Sequence, residues 1–327
     1  MTESKKVNLF FLYTLCFYVI VSMMILPVLH KYIGQNVNLL LIISQSLLAI
    51  PSIAYVLISR GRAVDNIETN GLSAKVIFLL VCFTLSMIPV ISFVNTLTMM
   101  FTKNHVTSNL SGIFNNPLWY SLLLMAVLPA MIEEFAFRGI IYNGYKKSGN
   151  IKGAIFFTSL LFGCFHMNFN QFLYAFVMSL FMLLIYEATN SLFSTIIMHM
   201  LFNGFSTFAQ YQVIALEKRI EQRINESEEY RKQLEQLRES KTITSYADYA
   251  VSEKIAILLR VFVIAVIGLT IAILLLRKIA KECNSTEKLK RILSLKKENP
   301  EQKSERIIDV PLAIALIICV LFMVSSF

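Results

Sequence analysis

Apolar residues along this chain come in long unbroken runs, with the charged residues packed into the gaps between them. A helix needs about 20 largely apolar residues to cross about 30 Å of hydrocarbon. On that measure the pattern predicts spans near 7–29, 37–59, 75–100, 118–145, 152–168, 170–187, 190–212, 254–276 and 308–326, an all-α, polytopic transmembrane helix bundle of about eight or nine spans. The polar breaks Asn168-Phe169-Asn170 and Thr189-Asn190-Ser191 divide the stretch 152–212 into short helices. A different pattern holds from Leu216 to Ser240, where opposite charges alternate without Gly or Pro, and it predicts a charged amphipathic helix outside the membrane. Four regions follow: N-terminal spans over 1–117, a core over 118–212, a charged insert over 213–253, and C-terminal spans with a basic loop over 254–327.

Composition agrees. Hydrophobic residues make up 56% of the 327 and charged residues 16%, with 25 Phe, which is too little polar surface to cover a soluble globule of this size. The net charge of +9 does not point to nucleic acid, because Lys and Arg sit in short segments between the spans. Numbering the spans alternately puts Arg60, Arg62, Lys146, Lys147, Lys152 and the basic run from Arg277 to Lys297 on one side. Little beyond Lys31 and Lys103 lies in the short segments of the other. Lys5 and Lys6 precede the first span, so a cytoplasmic N-terminus is expected. That span is longer than the core of a signal peptide and no small-x-small site follows it, so it is expected to stay in the mature protein. The five cysteines are odd in number and form no C-x-x-C pair, so neither a disulfide framework nor a cysteine zinc site is expected.

Ionisable residues inside a span are costly, by at least about 2.5 kcal/mol on insertion scales, and so point to function. Three groups stand out: Glu133-Glu134-Phe135-Ala136-Phe137-Arg138, Phe162-Gly163-Cys164-Phe165-His166, and His199-Met200-Leu201-Phe202-Asn203. Four residues apart on a helix, Glu134 and Arg138 share a face and can neutralise each other. Glu133 points about 100° away and is free to face a cavity. Pro129, one turn earlier, is expected to kink the helix. His199 and Asn203 also share a face and offer two donors suited to an oxyanion hole, while the Phe162 ring can pack on His166. Each feature also has a plain structural reading, the Glu134–Arg138 pair above all. Glu187, beside Thr189 and Asn190 at a span end, reads as interfacial.

In these three groups, taken in order, the sequence resembles the CPBP (Abi) family, the type II CAAX prenyl endopeptidases with bacteriocin-processing and self-immunity proteins. The family pattern is E-E-x-x-x-R, F-x-x-x-H and H-x-x-x-N, here EEFAFR, FGCFH and HMLFN, and the resemblance covers about Leu118 to Tyr211. It implies an intramembrane, glutamate-dependent endopeptidase acting on a membrane-associated, possibly lipidated, protein or peptide, in peptide processing or bacteriocin immunity. By the same resemblance Glu133 is the general base on a water that His166 holds, His199 and Asn203 bind the oxyanion, Glu134 with Arg138 supports the site, and access is from the cytosol. No cofactor is expected. A zinc variant would use Glu133, His166 and His199 as ligands, without the H-E-x-x-H of helical zinc proteases. The Ile-, Lys-, Asn- and Phe-rich composition suggests a bacterial plasma membrane, with lipids as partners. Two other classes stay open: a non-catalytic scaffold or immunity partner, and a transporter, which no matched pair of broken helices supports.

Overall fold

The computed structural model describes residues 1–34, 36–101, 111–232, 250–294 and 305–325. Among them there is no strand, only an isolated bridge between Thr69 and Ser191. Seven helices are long and apolar enough to cross a membrane: α1 (Glu3–Leu29), α2 (Val37–Ile58), α3 (Ala74–Met99), α4 (Leu118–Lys146), α6 (Phe169–Thr189), α7 (Leu192–Glu226) and α8 (Val251–Glu282). Two shorter apolar helices, α5 (Ile151–Phe165) and α10 (Val310–Ser325), complete the nine predicted segments. Between α8 and α10 lies the short amphipathic helix α9 (Thr286–Leu293), which buries Leu289 and Ile292 and leaves Lys290 and Arg291 exposed. The chain is therefore a helical polytopic bundle.

Side-chain contacts fix which helix ends share a side. Asn8 near the start of α1 donates to the carbonyl of Ile307 at 2.8 Å and to Asp309 at 2.7 Å, and Tyr145 near the end of α4 donates to Asn8. The Glu305 amide donates to the Ser148 carbonyl at 2.9 Å, and Lys75 at the start of α3 pairs with Glu282 at the end of α8 at 2.7 Å. One end of the bundle thus gathers the N-terminus and the basic connections 59–73, 147–150, 283–294 and 305–309. The other end holds 30–34, 100–101, 111–117, 166–168 and the outer part of α7.

A bilayer gives apolar helices little reason to leave lipid for one another, so association rests on close packing. Gly268 of α8 lies so near α3 that an added Cβ would meet the Ser86 carbonyl oxygen at 2.5 Å. Around the centre, Phe83, Phe137, Phe162, Tyr142 and Tyr186 are fully buried, while Phe78, Ile264, Leu274 and Leu321 point outward as a lipid-facing belt. A second, smaller apolar cluster of Ile113, Phe114 and Leu124, with Leu41, Tyr211 and Ile214 packed on it, lies at the end away from the basic connections.

Three local features differ from the sequence reading. The first part of the charged stretch is a direct continuation of the span, because α7 runs unbroken for 35 residues to Glu226; the helix breaks at Ser227 and resumes over 228–232, and residues 233–249 lie outside the described residues. Around Pro129 the helix is disturbed in a form that spacing did not foretell: α4 is π-helical over Leu123–Val127 and again over Phe135–Tyr142. Such turns accept a missing backbone donor and are common beside functional sites. Glu187 does stand at the end of α6, but it is fully buried. Its carboxylate receives Tyr142 Oη at 2.8 Å and Lys146 Nζ at 2.8 Å on one oxygen, and Lys288 Nζ at 2.7 Å on the other. The Lys146 ammonium also reaches Glu68 at 3.3 Å, so this cluster joins α4, α6, α9 and the connection after α2.

Candidate active site

Glu133 and Glu134 leave α4 in different directions, as a helical step of about 100° requires. The Glu134 side chain is fully buried, whereas that of Glu133 keeps 16% of its surface exposed and lines a cavity. The Arg138 guanidinium, also fully buried, donates through Nη1 to Glu134 Oε1 at 2.9 Å and through Nη2 to Ser179 Oγ on α6 at 2.9 Å. Its Cζ lies 4.7 Å from the centre of the Phe162 ring. A buried ion pair repays its desolvation only when its geometry is good and its other polar atoms are satisfied; Ser179 and Phe162 supply part of that here, while Arg138 Nε and Glu134 Oε2 have no hydrogen-bond partner among the described residues.

The same oxygen of Glu134 takes a second donor, His199 Nδ1 on α7, at 2.8 Å. A carboxylate accepts hydrogen bonds, so this contact places a proton on Nδ1 and turns Nε2 toward Glu133. The Nε2 to Glu133 Oε2 distance is 3.8 Å, too long for a direct hydrogen bond. His199 Nε2 accepts in the neutral ring and donates only when the ring is an imidazolium.

His166 caps α5. Its Nδ1 donates to the Phe162 carbonyl at 2.8 Å, so its Nε2 is also an acceptor in the neutral ring. The Phe162 ring packs at 5.2 Å from the His166 ring and 5.9 Å from the His199 ring, both edgewise. Immediately after it the chain turns through Met167 in the left-handed region (φ 48°) and starts α6, whose Asn168 cap accepts from the Gln171 amide at 3.2 Å. Gly163 makes this turn possible, since a Cβ there would meet the Phe172 carbonyl oxygen at 2.7 Å.

Glu133, His166, His199 and Asn203 all line one cavity of about 470 Å³, together with Tyr174 and Gln171. Three helices thus bring together a carboxylate, two imidazoles with defined tautomers and an amide. That set can polarise a water, take its proton and donate to a developing negative oxygen. Among the described residues no three His, Cys, Asp or Glu side chains are gathered to hold a metal ion, so the donors as placed do not fit a zinc site. All five cysteines are free thiols.

Sequence spacing singled out Glu133, His166, His199 and Asn203, which line the cavity, and the Glu134–Arg138 pair behind them. It missed Glu134 as the partner of His199, Ser179 as the second anchor of Arg138, and the polar lining from Asn95, Asn170, Gln171 and Tyr174. Serine and tyrosine are common in membrane helices, so Ser179 and Tyr174 carried no signal. Asn170 lay in the polar break at 168–170 with Gln171 next to it, and both could have been noticed there.

No curated protein and no solved structure matches the chain. Residues 115–205 match the family model for type II CAAX prenyl endopeptidase, Rce1-like. That segment runs from just before α4 through His199 and Asn203, so it takes in all four cavity residues named above and the buried ion pair behind them. Over residues 115–205 the chain is similar to Rce1-like type II CAAX prenyl endopeptidases, and the likeness rests on that segment alone.

Proposed function

We propose that the chain is an intramembrane endopeptidase that hydrolyses a peptide bond of a membrane-associated polypeptide, with Glu133 as its general base. The observation that carries this reading is the meeting of Glu133, His166, His199 and Asn203 in one cavity, with each imidazole tied down at Nδ1. Glu133 takes a proton from a water whose second hydrogen points to His166 Nε2. The resulting hydroxide adds to the carbonyl carbon of the scissile bond. Asn203 donates its amide N–H to the oxyanion, and His199 Nε2 adds a donor only when its ring is an imidazolium. As the C–N bond breaks, the proton on Glu133 passes to the leaving amine. Glu134 and Arg138 hold His199 in register and touch no reacting atom.

Orientation is part of the reading. The excess of Lys and Arg at one end of the bundle argues for a cytoplasmic N-terminus, and composition argues for a bacterial plasma membrane. Roles in peptide maturation or bacteriocin immunity are the processes such a peptidase would serve.

The test is cleavage of a defined peptide library by the purified chain in nanodiscs, read by mass spectrometry. Glu133→Gln and His166→Ala should each lower turnover by about 100-fold or more while leaving thermal unfolding unchanged. Equal cleavage by the wild type and both variants would sink the reading, and biological activity persisting in Glu133→Gln would favour a non-catalytic scaffold. Loss of cleavage on chelation, restored by zinc, would replace the base with a metal ligand.

A further inference from the structure

The cavity has a direction. From the four site residues its lining runs to Leu41 at the start of α2, Asn95 near the end of α3, Phe114 before α4, and Gln210 and Ile214 on α7. Gln210 is eleven residues beyond His199, or about 16 Å at about 1.5 Å per residue. Each of these positions lies toward the end of the bundle opposite the basic connections. In the other direction the site is closed. Below Glu133, α4 presents Phe137, Arg138, Ile141 and Tyr142, and α6 presents Met182 and Tyr186, none more than 1% exposed. Beneath them the Glu187 cluster binds Lys146 and Lys288 across the same end.

Charge tells the two ends apart. Arg60, Arg62, Lys146, Lys147 and the basic run from Arg277 lie at the closed end, whereas the charged stretch of α7 at the open end alternates in sign. Short basic connections stay on the cytoplasmic side during insertion, and Asp and Glu count little.

We propose that the cavity receives its substrate from the non-cytoplasmic side of the membrane, so that the chain cuts polypeptide segments that have already been translocated. The inference rests on the peptidase reading for the word "cuts", but not for the side. It reverses the cytosolic access implied by the family resemblance. It also fixes an order of events, because export or membrane insertion must deliver the substrate before cleavage. A lipid group added at the cytoplasmic face would lie across the bilayer from the mouth of the cavity.

Sidedness can be read without knowing the substrate. Gln210→Cys puts a thiol at the mouth, and the native Cys283, half-buried just after α8, marks the basic end. In spheroplasts, a membrane-impermeant PEG-maleimide should shift the Gln210→Cys chain by one adduct that the wild type lacks. Cys283 should react only after permeabilisation. Labelling of Gln210→Cys only after permeabilisation, labelling in neither condition, or labelling of Cys283 from outside would each overturn the proposal. The same result is expected on a Glu133→Gln background, so failure of the peptidase reading leaves this test intact. Where a peptide cleaved by the purified protein is in hand, adding it outside spheroplasts should give Glu133-dependent products, and cleavage confined to inverted vesicles would overturn the proposal.

Discussion

His199 Nδ1 lies 2.8 Å from Glu134 Oε1, the oxygen that also receives Arg138 Nη1 at 2.9 Å. One carboxylate oxygen therefore sets both the guanidinium and the imidazole, and everything Glu134 does for the reaction passes through them. Replacing it with Gln leaves a buried guanidinium without its counter-charge, which costs about 3 to 5 kcal/mol when a buried pair is broken. Glu134→Gln should unfold at a markedly lower temperature in detergent and lose turnover. The double variant Glu134→Gln with Arg138→Met removes the stranded charge and should recover much of the stability without recovering activity. A double variant no more stable than the single one would show that the ion pair is not the source of the loss.

Asn203 is half-buried in the cavity, and in the proposed reaction it donates its amide to the oxyanion. Asn203→Ala should lower kcat by about 100-fold to 1,000-fold with KM nearly constant, since the contact strengthens only in the transition state. A rise in KM at constant kcat would assign Asn203 to substrate binding.

Gly163→Ala places a Cβ 2.7 Å from the Phe172 carbonyl oxygen, a backbone atom that cannot swing aside. Overpacking of this kind costs about 1 to 3 kcal/mol, and it pushes α6 away from the turn that carries His166. Thermal unfolding should fall modestly and turnover should fall further. Unchanged values for both would mean that the turn tolerates the extra atom.

Glu187→Gln tests the second polar cluster, which no step of the reaction uses. Lys146 and Lys288 are each about a third exposed, so water can partly replace the lost charge. A loss of about 1.5 to 3 kcal/mol is expected, as for hydrogen bonds to charged groups. Turnover measured well below the unfolding temperature should stay near the wild-type value, and a large drop there would tie the cluster to the site.

What the sequence made legible was periodic or local. All nine apolar helices follow from run length, and the division of labour between Glu133 and Glu134 follows from a single helical step. Contacts between distant segments were out of reach. Glu134 pairs with Arg138 four residues away, which spacing reveals, but also with His199 sixty-five residues away, which it cannot. Glu187 sits at a span end, where water is the ordinary expectation, and only the folding of α9 and α4 over it makes it buried. Pro129 signalled a disturbance in α4, but the π-helical turns on either side of it carry no local mark in the sequence.

The buried layer beneath Glu133 has an electrical consequence. A wet cavity that reaches partway across a membrane shortens the insulating path, so more of the transmembrane voltage falls across the protein that remains. Here that remainder begins with Phe137, Phe162 and Met182, sealed against solvent, and with an ion pair whose two charges cancel. One uncancelled charge moved through the whole potential changes energy by about 2.3 kcal/mol per 100 mV. A dry layer holding a neutral pair keeps voltage from biasing the cavity and, on the proposed reading of Glu133, keeps protons from leaking past a general base.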